Sequence, residues 1–401
     1  MNSDIKLIAN KSILFVFENP FNPSIGGTER VTDLLTKALI KRGYYIYYLC
    51  GKVNNQKLLE YDFPTIQYQL PCDGLFSNEE NKKFYKHIIE THNIDIVVNQ
   101  SGYHPSLNNC LNVDCKKISV IHYNPKALLE IKKDILDRKN NNNLKYYIKV
   151  LLYPYLKYLV KVRTKRFIQN HYKFISQNSD AIVLLSNKYI PDFKELISIN
   201  NIKATITGIP NPNTFKENNI DLSKKENIIL YVGRLSIDDK NPLRLLKVWE
   251  LLYKKNPDWK LVLVGEGISE NQLKEYVRIN NIERVYFEGR QLDVTSYYKK
   301  GSFICLTSNT EGWPMTLMEG MGFGCIPITF NNYKTASDII DSGINGYLIE
   351  PFNVKKYAKK IQQIIIHREK RELISLAAYK KSKIFDLDMV ITQWEELFNS
   401  I

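Results

Sequence analysis

Cysteine is scarce in this sequence, and it is not arranged for disulfides or for metal binding. The 401 residues contain six cysteines, and no two of them form a Cys-x-x-Cys pair. Cys305 and Cys325 lie within apolar runs, which is typical of small buried hydrophobic residues. The spacing therefore excludes a disulfide scaffold and a zinc finger, and it indicates a reducing compartment.

Long apolar stretches are missing as well, and acidic residues are in the minority. No run of about 18 apolar residues occurs, so no membrane-spanning segment is predicted, and the first residues do not resemble a signal peptide. Lysine and arginine number 56 against 42 aspartates and glutamates, which gives a formal net charge of +14. This surplus favours a polyanionic partner, either nucleic acid, a phosphorylated substrate or an anionic membrane, without choosing among them.

What the sequence does contain is a repeated alternation of short apolar runs with helical patterns. Its length and its 44% of hydrophobic residues suit two globular domains of about 200 residues each. The alternation predicts an α/β protein with two doubly wound, Rossmann-like parallel-sheet domains that face each other across a cleft. The predicted strands are 13–17, 44–49, 94–98, 118–121 and 181–185, then 228–232, 261–264, 285–287, 303–306 and 326–330.

The domain boundaries follow from composition. We place the first domain at residues 1–208 and the second at 226–385. The intervening linker, 209–225, contains Pro210 and Pro212 and then a polar stretch. A last helix over 386–401 carries Trp394, Leu397 and Phe398 on one side, which predicts that it docks on another part of the chain.

Ligands of such sheets bind beyond the carboxyl ends of the strands, and the first turn there is rich in glycine. It consists of Gly26 and Gly27, followed by Thr28-Glu29-Arg30. Paired glycines let the backbone approach a ligand, and the next helix offers free N–H groups. The pair is equally consistent with a tight strand-to-helix turn. A Gly-x-Gly-x-x-Gly fingerprint is absent, which argues against a dinucleotide dehydrogenase.

A second turn opens the second domain with two cations. Arg234 follows Gly233 just past a predicted strand, and Lys240 precedes a predicted helix that begins at Pro242. A planar guanidinium beside an ammonium group can clamp a diphosphate. The alternative is that both side chains are simply solvated, as most surface lysines and arginines are.

The third turn carries two carboxylates. Glu311 lies in a Gly/Pro turn after a predicted strand, and Glu319 lies eight positions later on the next helix. The two carboxylates can accept hydrogen bonds from two sugar rings, and the helix N-terminus between them can hold a phosphate. The alternative is an acidic residue that complements the helix dipole, together with a solvated glutamate.

In their order along the chain these motifs resemble family 4 of the glycosyltransferases, of the bacterial surface-polysaccharide type. The resemblance covers nearly the whole chain, and Glu311 to Glu319 matches the Glu-x7-Glu motif of that family. The other matching segments are Ile121-His122-Tyr123-Asn124-Pro125, Ile209-Pro210-Asn211-Pro212 and Gly343-Ile344-Asn345-Gly346-Tyr347-Leu348. The resemblance implies a GT-B fold, a nucleotide-sugar donor and retention of the anomeric configuration.

The resemblance also implies roles for single residues. Arg234 and Lys240 would neutralise the donor diphosphate without a metal or other cofactor, and Glu311 and His122 would bind the donor sugar. For His122, a satisfied buried histidine remains the alternative. The last helix would cross back onto the first domain. The remaining donor-binding residues would be Gly26, Gly27, Gly233, Gly289, Arg290, Met315, Thr316, Leu317 and Glu319.

One segment is strongly basic. Residues 138–179 contain ten lysines or arginines, eight tyrosines or phenylalanines and no acidic residue. Apolar residues recur there at helical spacing beside a stripe of lysines, and Pro154 should kink or split the helix. A peripheral contact with an anionic membrane is one hypothesis, and a helix packed on the first sheet is the other. The proposed membrane contacts are Lys145, Lys149, Tyr155, Lys157 and Lys161.

The sequence thus predicts a cytoplasmic glycosyltransferase, peripheral on the inner face of the membrane if the basic segment binds lipid. It would move a sugar from a nucleotide-diphosphate donor, of which a UDP-sugar is the favoured one, to a glycan or a polyprenyl-linked saccharide. A sugar-nucleotide epimerase of the same architecture is an alternative. A nucleic-acid binder is a weaker one, because no helix-turn-helix, RRM, KH or zinc pattern occurs.

Overall fold

The computed structural model describes residues 11–23, 26–52, 65–101, 110, 112–130, 144–197, 202–215 and 219–401, without the side chains of 128, 130 and 144–157. The chain divides into two compact units. Unit 1 comprises Met1–Ile209 with Glu396–Ile401, and unit 2 comprises Pro210–Glu395. The linker over 209–225 and the crossing of the last helix stay predictions.

Unit 1 is built on a parallel sheet, and the described part of it has the strand order β3-β2-β1-β4-β5-β6-β7. Its strands are β1 (Ser12–Phe17), β2 (Tyr45–Cys50), β3 (Ile66–Gln69), β4 (Ile96–Asn99), β5 (Lys116–Ile121), β6 (Ala181–Leu184) and β7 (Thr205–Gly208). Its helices are α1 (Gly27–Lys41), α2 (Glu79–Thr91), α3 (Ala127–Glu130), α4 (Leu144–Asn178) and α5 (Ile190–Ile197).

The second half of α4 contributes residues to the core of unit 1. Ile168, Tyr172 and Ile175 of α4 are buried and pack with the residues of the sheet and with Phe193 of α5. This half of α4 therefore packs on the sheet. It agrees with the hypothesis that the basic segment contains a helix packed on the first sheet. Of the two predicted effects of Pro154, a split is wrong, because the helix continues through it without a break, and a kink stays a prediction. A proline removes only one backbone hydrogen bond, and the neighbouring turns keep theirs.

Unit 2 repeats the architecture with the described strand order β10-β9-β8-β11-β12-β13, again parallel. Its strands are β8 (Ile228–Val232), β9 (Lys260–Val264), β10 (Val285–Phe287), β11 (Phe303–Cys305), β12 (Ile326–Phe330) and β13 (Tyr347–Ile349). Its helices are α6 (Pro242–Glu250), α7 (Glu270–Ile279), α8 (Thr295–Lys300), α9 (Met315–Gly322), α10 (Ala336–Ile339), α11 (Val354–Ile365), α12 (Arg368–Ser382) and α13 (Leu387–Ser400), whose last residues belong to unit 1.

The predicted fold class, two Rossmann-like parallel-sheet units, is confirmed. Every predicted strand is present, with ends that differ by at most two residues. The strands β3, β7 and β13 were missed, since they are only three or four residues long and partly exposed. The helix predicted to begin at Pro242 does so and ends at Glu250, and the following Leu252 and Tyr253 are buried. Within the described residues, no helix combines the length and apolarity that crossing a bilayer demands.

Candidate functional site

The carboxyl ends of β8 and β11 bring two sequence motifs together in unit 2. The strands pair in parallel, with Phe303 opposite Ile229, so the loops that follow them leave the same edge of the sheet side by side. One loop carries Lys240 and the other carries Glu311. The Lys240 Nζ lies 2.8 Å from Glu311 Oε1 and 2.7 Å from Oε2. Two residues 71 positions apart thus form one ion pair.

This ion pair is mostly out of solvent. The Glu311 side chain is 6% exposed and that of Lys240 is 27% exposed. Ser308 Oγ also donates a hydrogen bond to Glu311 Oε1, at 2.6 Å. A buried carboxylate is tolerated only when it is paired and hydrogen-bonded, and the lysine and the serine meet that requirement. The pair offers a cation and an acceptor at the point where ligands of such sheets bind.

Arg234 lies beside the pair but in a different environment. Its side chain is 69% exposed, and its Nη2 lies 3.3 Å from Asp239 Oδ2. Asp239 Oδ1 also accepts a hydrogen bond from the Lys240 backbone N–H at 2.8 Å. Asp239 therefore contacts both cationic residues, through the guanidinium group of Arg234 and the backbone of Lys240. An exposed ion pair contributes less than about 1 kcal/mol, so an anionic ligand can displace Asp239 from Arg234 at little cost.

Gly233 occupies a position that only glycine fits easily. Its φ is +156°, and a Cβ there would lie 3.2 Å from Tyr231 Oη. Tyr231 is buried, and its hydroxyl donates a hydrogen bond to the Arg234 carbonyl oxygen at 2.9 Å. The glycine and the tyrosine together set the direction in which Arg234 leaves the strand.

Glu319 of α9 is buried, so the alternative that it is a solvated glutamate is wrong. It is 1% exposed. Tyr298 Oη donates to its Oε2 at 2.7 Å, and Thr214 Oγ1 donates to its Oε1 at 2.6 Å. A carboxylate oxygen can accept more than one hydrogen bond. The predicted role of Glu319 in binding the donor stays a prediction.

The start of α9 is partly engaged with its own turn. The Met315 N–H donates to the Trp313 carbonyl oxygen at 2.9 Å, and the Leu317 N–H donates to that of Pro314 at 3.0 Å. Thr316 lies between them and is partly exposed. A phosphate that approaches this helix would have to compete with the two local hydrogen bonds.

The turn after β10 is open. Gly289 has a φ of +65°, and among the described residues no atom beyond its chain neighbours lies within 4 Å of the position of a Cβ. Arg290 is 56% exposed, and its Nη1 lies 3.5 Å from Glu266 Oε1. The structure therefore places both predicted residues on an accessible loop of unit 2, at the same carboxyl edge of the sheet as Gly233.

In unit 1, His122 follows β5, and it meets a residue that the sequence did not single out. Its Nε2 lies 2.6 Å from Oε1 of Gln100, which follows β4 and is buried. Burial lowers the pKa of the His122 imidazole to about 4. The ring is thus neutral at pH 7, and because Gln100 Oε1 only accepts, the proton lies on Nε2. Among the described residues, the buried Nδ1 has no hydrogen-bond partner, and it can act as an acceptor.

The other predicted residues of unit 1 fall at the start of α1 and on α4. Gly26 is extended and precedes the helix, which begins at Gly27. Lys161 is exposed on α4. The predicted membrane contacts Lys145, Lys149, Tyr155 and Lys157 have side chains outside the described residues. Across the described ranges, no group of three or more His, Cys, Asp or Glu side chains could hold a metal ion.

The known proteins that this chain resembles in sequence include several glycosyltransferases. Residues 212–381 match the family described as glycosyl transferases group 1. A Haemophilus influenzae protein named as an uncharacterized glycosyltransferase is 28% identical over 381 residues, which span 93% of this chain and 96% of that protein. An α-1,4-N-acetyl-D-galactosaminyltransferase of Campylobacter jejuni is 30% identical over 44% of this chain and 49% of its own length. The full name of that protein includes a saccharide-PP-undecaprenol.

Solved structures confirm the fold. Sucrose-phosphate synthase from Thermosynechococcus elongatus superposes with a TM-score of 0.74 at 15% identity, over 97% of this chain and 99% of that one. TarM of S. aureus, solved with UDP, superposes with a TM-score of 0.71 at 15% identity, over 97% of this chain and 100% of that one. The architecture is that of the GT-B glycosyltransferases. Together with the family match and the relatives, it supports a glycosyltransferase and does not favour the epimerase.

Proposed function

We propose that this protein is a retaining, family 4-like glycosyltransferase that moves a hexose or N-acetylhexosamine from a UDP-sugar to a glycan or lipid-linked saccharide during bacterial surface-polysaccharide synthesis. The observation that carries the proposal is the buried Lys240–Glu311 pair, with Arg234 beside it, at the carboxyl edge of β8 and β11. This arrangement supplies two cations for a diphosphate and one acceptor for sugar hydroxyls.

The chemistry requires negative charge to be stabilised on the departing diphosphate. As the bond between the anomeric carbon and the diphosphate oxygen breaks, Arg234 and Lys240 offset the developing charge. The acceptor oxygen forms its bond to the anomeric carbon on the same face, and its proton passes to the departing phosphate. Glu311 of unit 2 holds sugar hydroxyls. The contact of His122 in unit 1 with the donor sugar stays a prediction. No metal is needed for these steps.

The donor nucleotide and the acceptor are proposed by analogy. UDP is the nucleotide in the TarM structure, and the Campylobacter relative is named for a saccharide-PP-undecaprenol. An acceptor of that kind lies at a membrane. Accordingly, the protein would work in the cytoplasm, at the inner face of the membrane.

The described part of α4 supports this location. Tyr158, Val160, Val162 and Phe167 are exposed apolar residues, and Lys161 lies among them. Interfacial aromatic and basic residues bind anionic bilayers. Flotation with anionic liposomes tests the contact, with Lys161→Glu/Lys165→Glu expected to reduce binding and Lys355→Glu/Lys359→Glu on α11 as the control of equal charge change. Equal binding by both variants would contradict it.

A nucleotide panel tests the main proposal. UDP, GDP, ADP and CMP are added to the protein in separate thermal-unfolding experiments, followed by UDP-sugars. A ligand at about 100 times its dissociation constant stabilises the protein by about 2.7 kcal/mol. We expect UDP to raise the unfolding temperature of the wild type and to have a smaller effect on Arg234→Ala and Lys240→Ala. An absence of any shift with all four nucleotides would contradict the proposed function.

A further inference from the structure

Asn309 connects the two loops of the candidate site. It lies two residues before Glu311, and its side chain reaches across to the loop that carries Lys240. Its Nδ2 donates hydrogen bonds to the carbonyl oxygens of Asp238 at 2.7 Å and Ile237 at 3.3 Å. Its backbone N–H donates to the Asp239 carbonyl oxygen at 2.7 Å. One residue thus binds three successive carbonyl groups of the opposite loop.

Arg244 fixes the orientation of this side chain. Its Nη1 donates to Asn309 Oδ1 at 2.6 Å and to the Thr307 carbonyl oxygen at 3.1 Å. Its guanidinium carbon lies 4.3 Å from the centroid of the Phe352 ring. A guanidinium can only donate and a carbonyl oxygen can only accept, so the Asn309 oxygen must face Arg244 and its nitrogen must face the loop.

Lys240 is consequently held on both sides of its backbone. Asp239 precedes it and is bound by Asn309. Asn241 follows it, and its carbonyl oxygen accepts a hydrogen bond from Thr307 Oγ1 at 2.8 Å. Asn241 has a φ of +45°, in the left-handed region that asparagine adopts more readily than most residues with a side chain. The loop conformation thus suits its sequence, and the hydrogen bonds on both sides of Lys240 hold it in place.

We propose that Asn309 is a positioning residue that, held by Arg244, fixes the loop 237–241 so that the Lys240 ammonium group meets the Glu311 carboxylate before a donor binds. The catalytic consequence rests on the proposed function, since Lys240 is a cation for the donor diphosphate only in that case. Charge stabilisation is effective when the charged groups are oriented in advance, so a loosened loop should slow the reaction even though Lys240 is still present.

The first experiment does not depend on activity. Hydrogen exchange is measured by mass spectrometry on peptides that cover residues 236–241, in the wild type, Asn309→Ala and Asn309→Asp. Asn309→Asp keeps the acceptor for Arg244 but turns an oxygen toward the carbonyl groups of Ile237 and Asp238. We expect both variants to exchange faster than the wild type in these peptides. Unchanged exchange in both would overturn the proposal.

Asn256 provides a matched control. It is buried, and its Nδ2 donates to the Leu252 carbonyl oxygen at 2.8 Å and to Gln362 Oε1 at 2.7 Å. It precedes β9 and therefore lies at the amino edge of the same sheet, away from the two loops. Asn256→Ala should lower the unfolding temperature without faster exchange in residues 236–241.

The second experiment separates positioning from general stabilisation through a double-mutant cycle. We expect Asn309→Ala to lower kcat/KM about tenfold, and by less than about twofold when Lys240 is already alanine, because the effect then has no group to act through. Asn256→Ala should leave kcat/KM within about twofold. An additive effect of Asn309→Ala and Lys240→Ala would overturn the positioning role. If the wild type transfers no sugar and binds no nucleotide, the proposed function fails, while the exchange experiment still decides whether Asn309 holds the loop.

Discussion

Units 1 and 2 have closely similar sheets but different chemistry at the carboxyl ends of their strands. The order β3-β2-β1-β4-β5-β6 of unit 1 corresponds to β10-β9-β8-β11-β12-β13 of unit 2. The loops after β8 and β11 bring together charged groups, as in the Lys240–Glu311 pair. The segments after β4 and β5 bring together neutral groups, as in Gln100 and His122. The fold supplies the edge, and the residues that follow the strands decide what the edge can bind.

This difference has a physical basis. A charge at a partly buried edge is costly unless a partner of opposite sign shares the site, and the two loops of unit 2 provide such partners. In unit 1 burial instead lowers the pKa of His122, which keeps the imidazole uncharged and leaves it as an acceptor. Unit 2 is therefore suited to an anion, and the edge of unit 1 to uncharged hydroxyl groups.

The largest expected effect comes from removing the cation of the buried pair. Lys240→Ala should lower kcat by about 10² to 10³, the range found when one preorganised electrostatic group is lost. The measurement is sugar transfer under saturating donor. Lys260→Ala is the matched control, since Lys260 pairs with Glu226 at 3.1 Å but lies at the amino edge of unit 2. Normal turnover by Lys240→Ala would contradict the assignment of an anion-binding edge to unit 2.

A smaller effect is expected on stability from Glu319. Glu319→Ala removes the acceptor of the Tyr298 and Thr214 hydroxyls and should lower the free energy of unfolding by about 3 kcal/mol, while Glu319→Gln should cost less because it keeps one acceptor. Urea unfolding measures both. Equal stability of the alanine variant and the wild type would mean that the hydrogen bonds of the buried carboxylate do not stabilise unit 2.

The buried, neutral His122 of unit 1 predicts that the free energy of unfolding depends on pH. The pKa of His122 is lowered from 6.5 to about 4 on folding, so between these values the unfolded state binds more protons than the folded state. Stability should therefore fall as the pH drops through this window. At pH 5 the penalty is about 2 kcal/mol, and His122→Gln should lack it. Urea unfolding of both proteins at pH 7.5 and pH 5 makes the comparison, and parallel losses in the two would show that His122 is not buried in neutral form.

The smallest effect is expected at Arg234. Because its ion pair with Asp239 is largely exposed, Arg234→Ala should leave the unfolding free energy within about 0.5 kcal/mol of the wild type. It should still lower kcat/KM about tenfold through the lost phosphate contact. Arg278→Ala, which breaks an exposed pair with Glu275, is the control for both measurements. A loss of stability without a loss of activity would mean that Arg234 stabilises the fold and does not bind the donor.

Much of the fold could be predicted because it depends on local pattern. The strand Ile228–Val232, for example, follows directly from a run of apolar residues. The Glu-x7-Glu motif could be found for the same reason, since its two carboxylates are close in sequence. The partners of these residues could not be found, because Thr214 lies 105 positions from Glu319 and nothing in a local pattern connects them.

The sequence by itself determined the class of fold, the order of the strands along the chain and the residue types available at each strand end, because apolar periodicity and turn residues act over a few positions. Only the tertiary structure decided which of those side chains meet. The adjacency of β8 and β11 brings Lys240 to Glu311 and Asn309 to the carbonyl groups of the opposite loop. Sheet neighbours are chosen by burial of the whole core, a property that no single segment of the sequence contains.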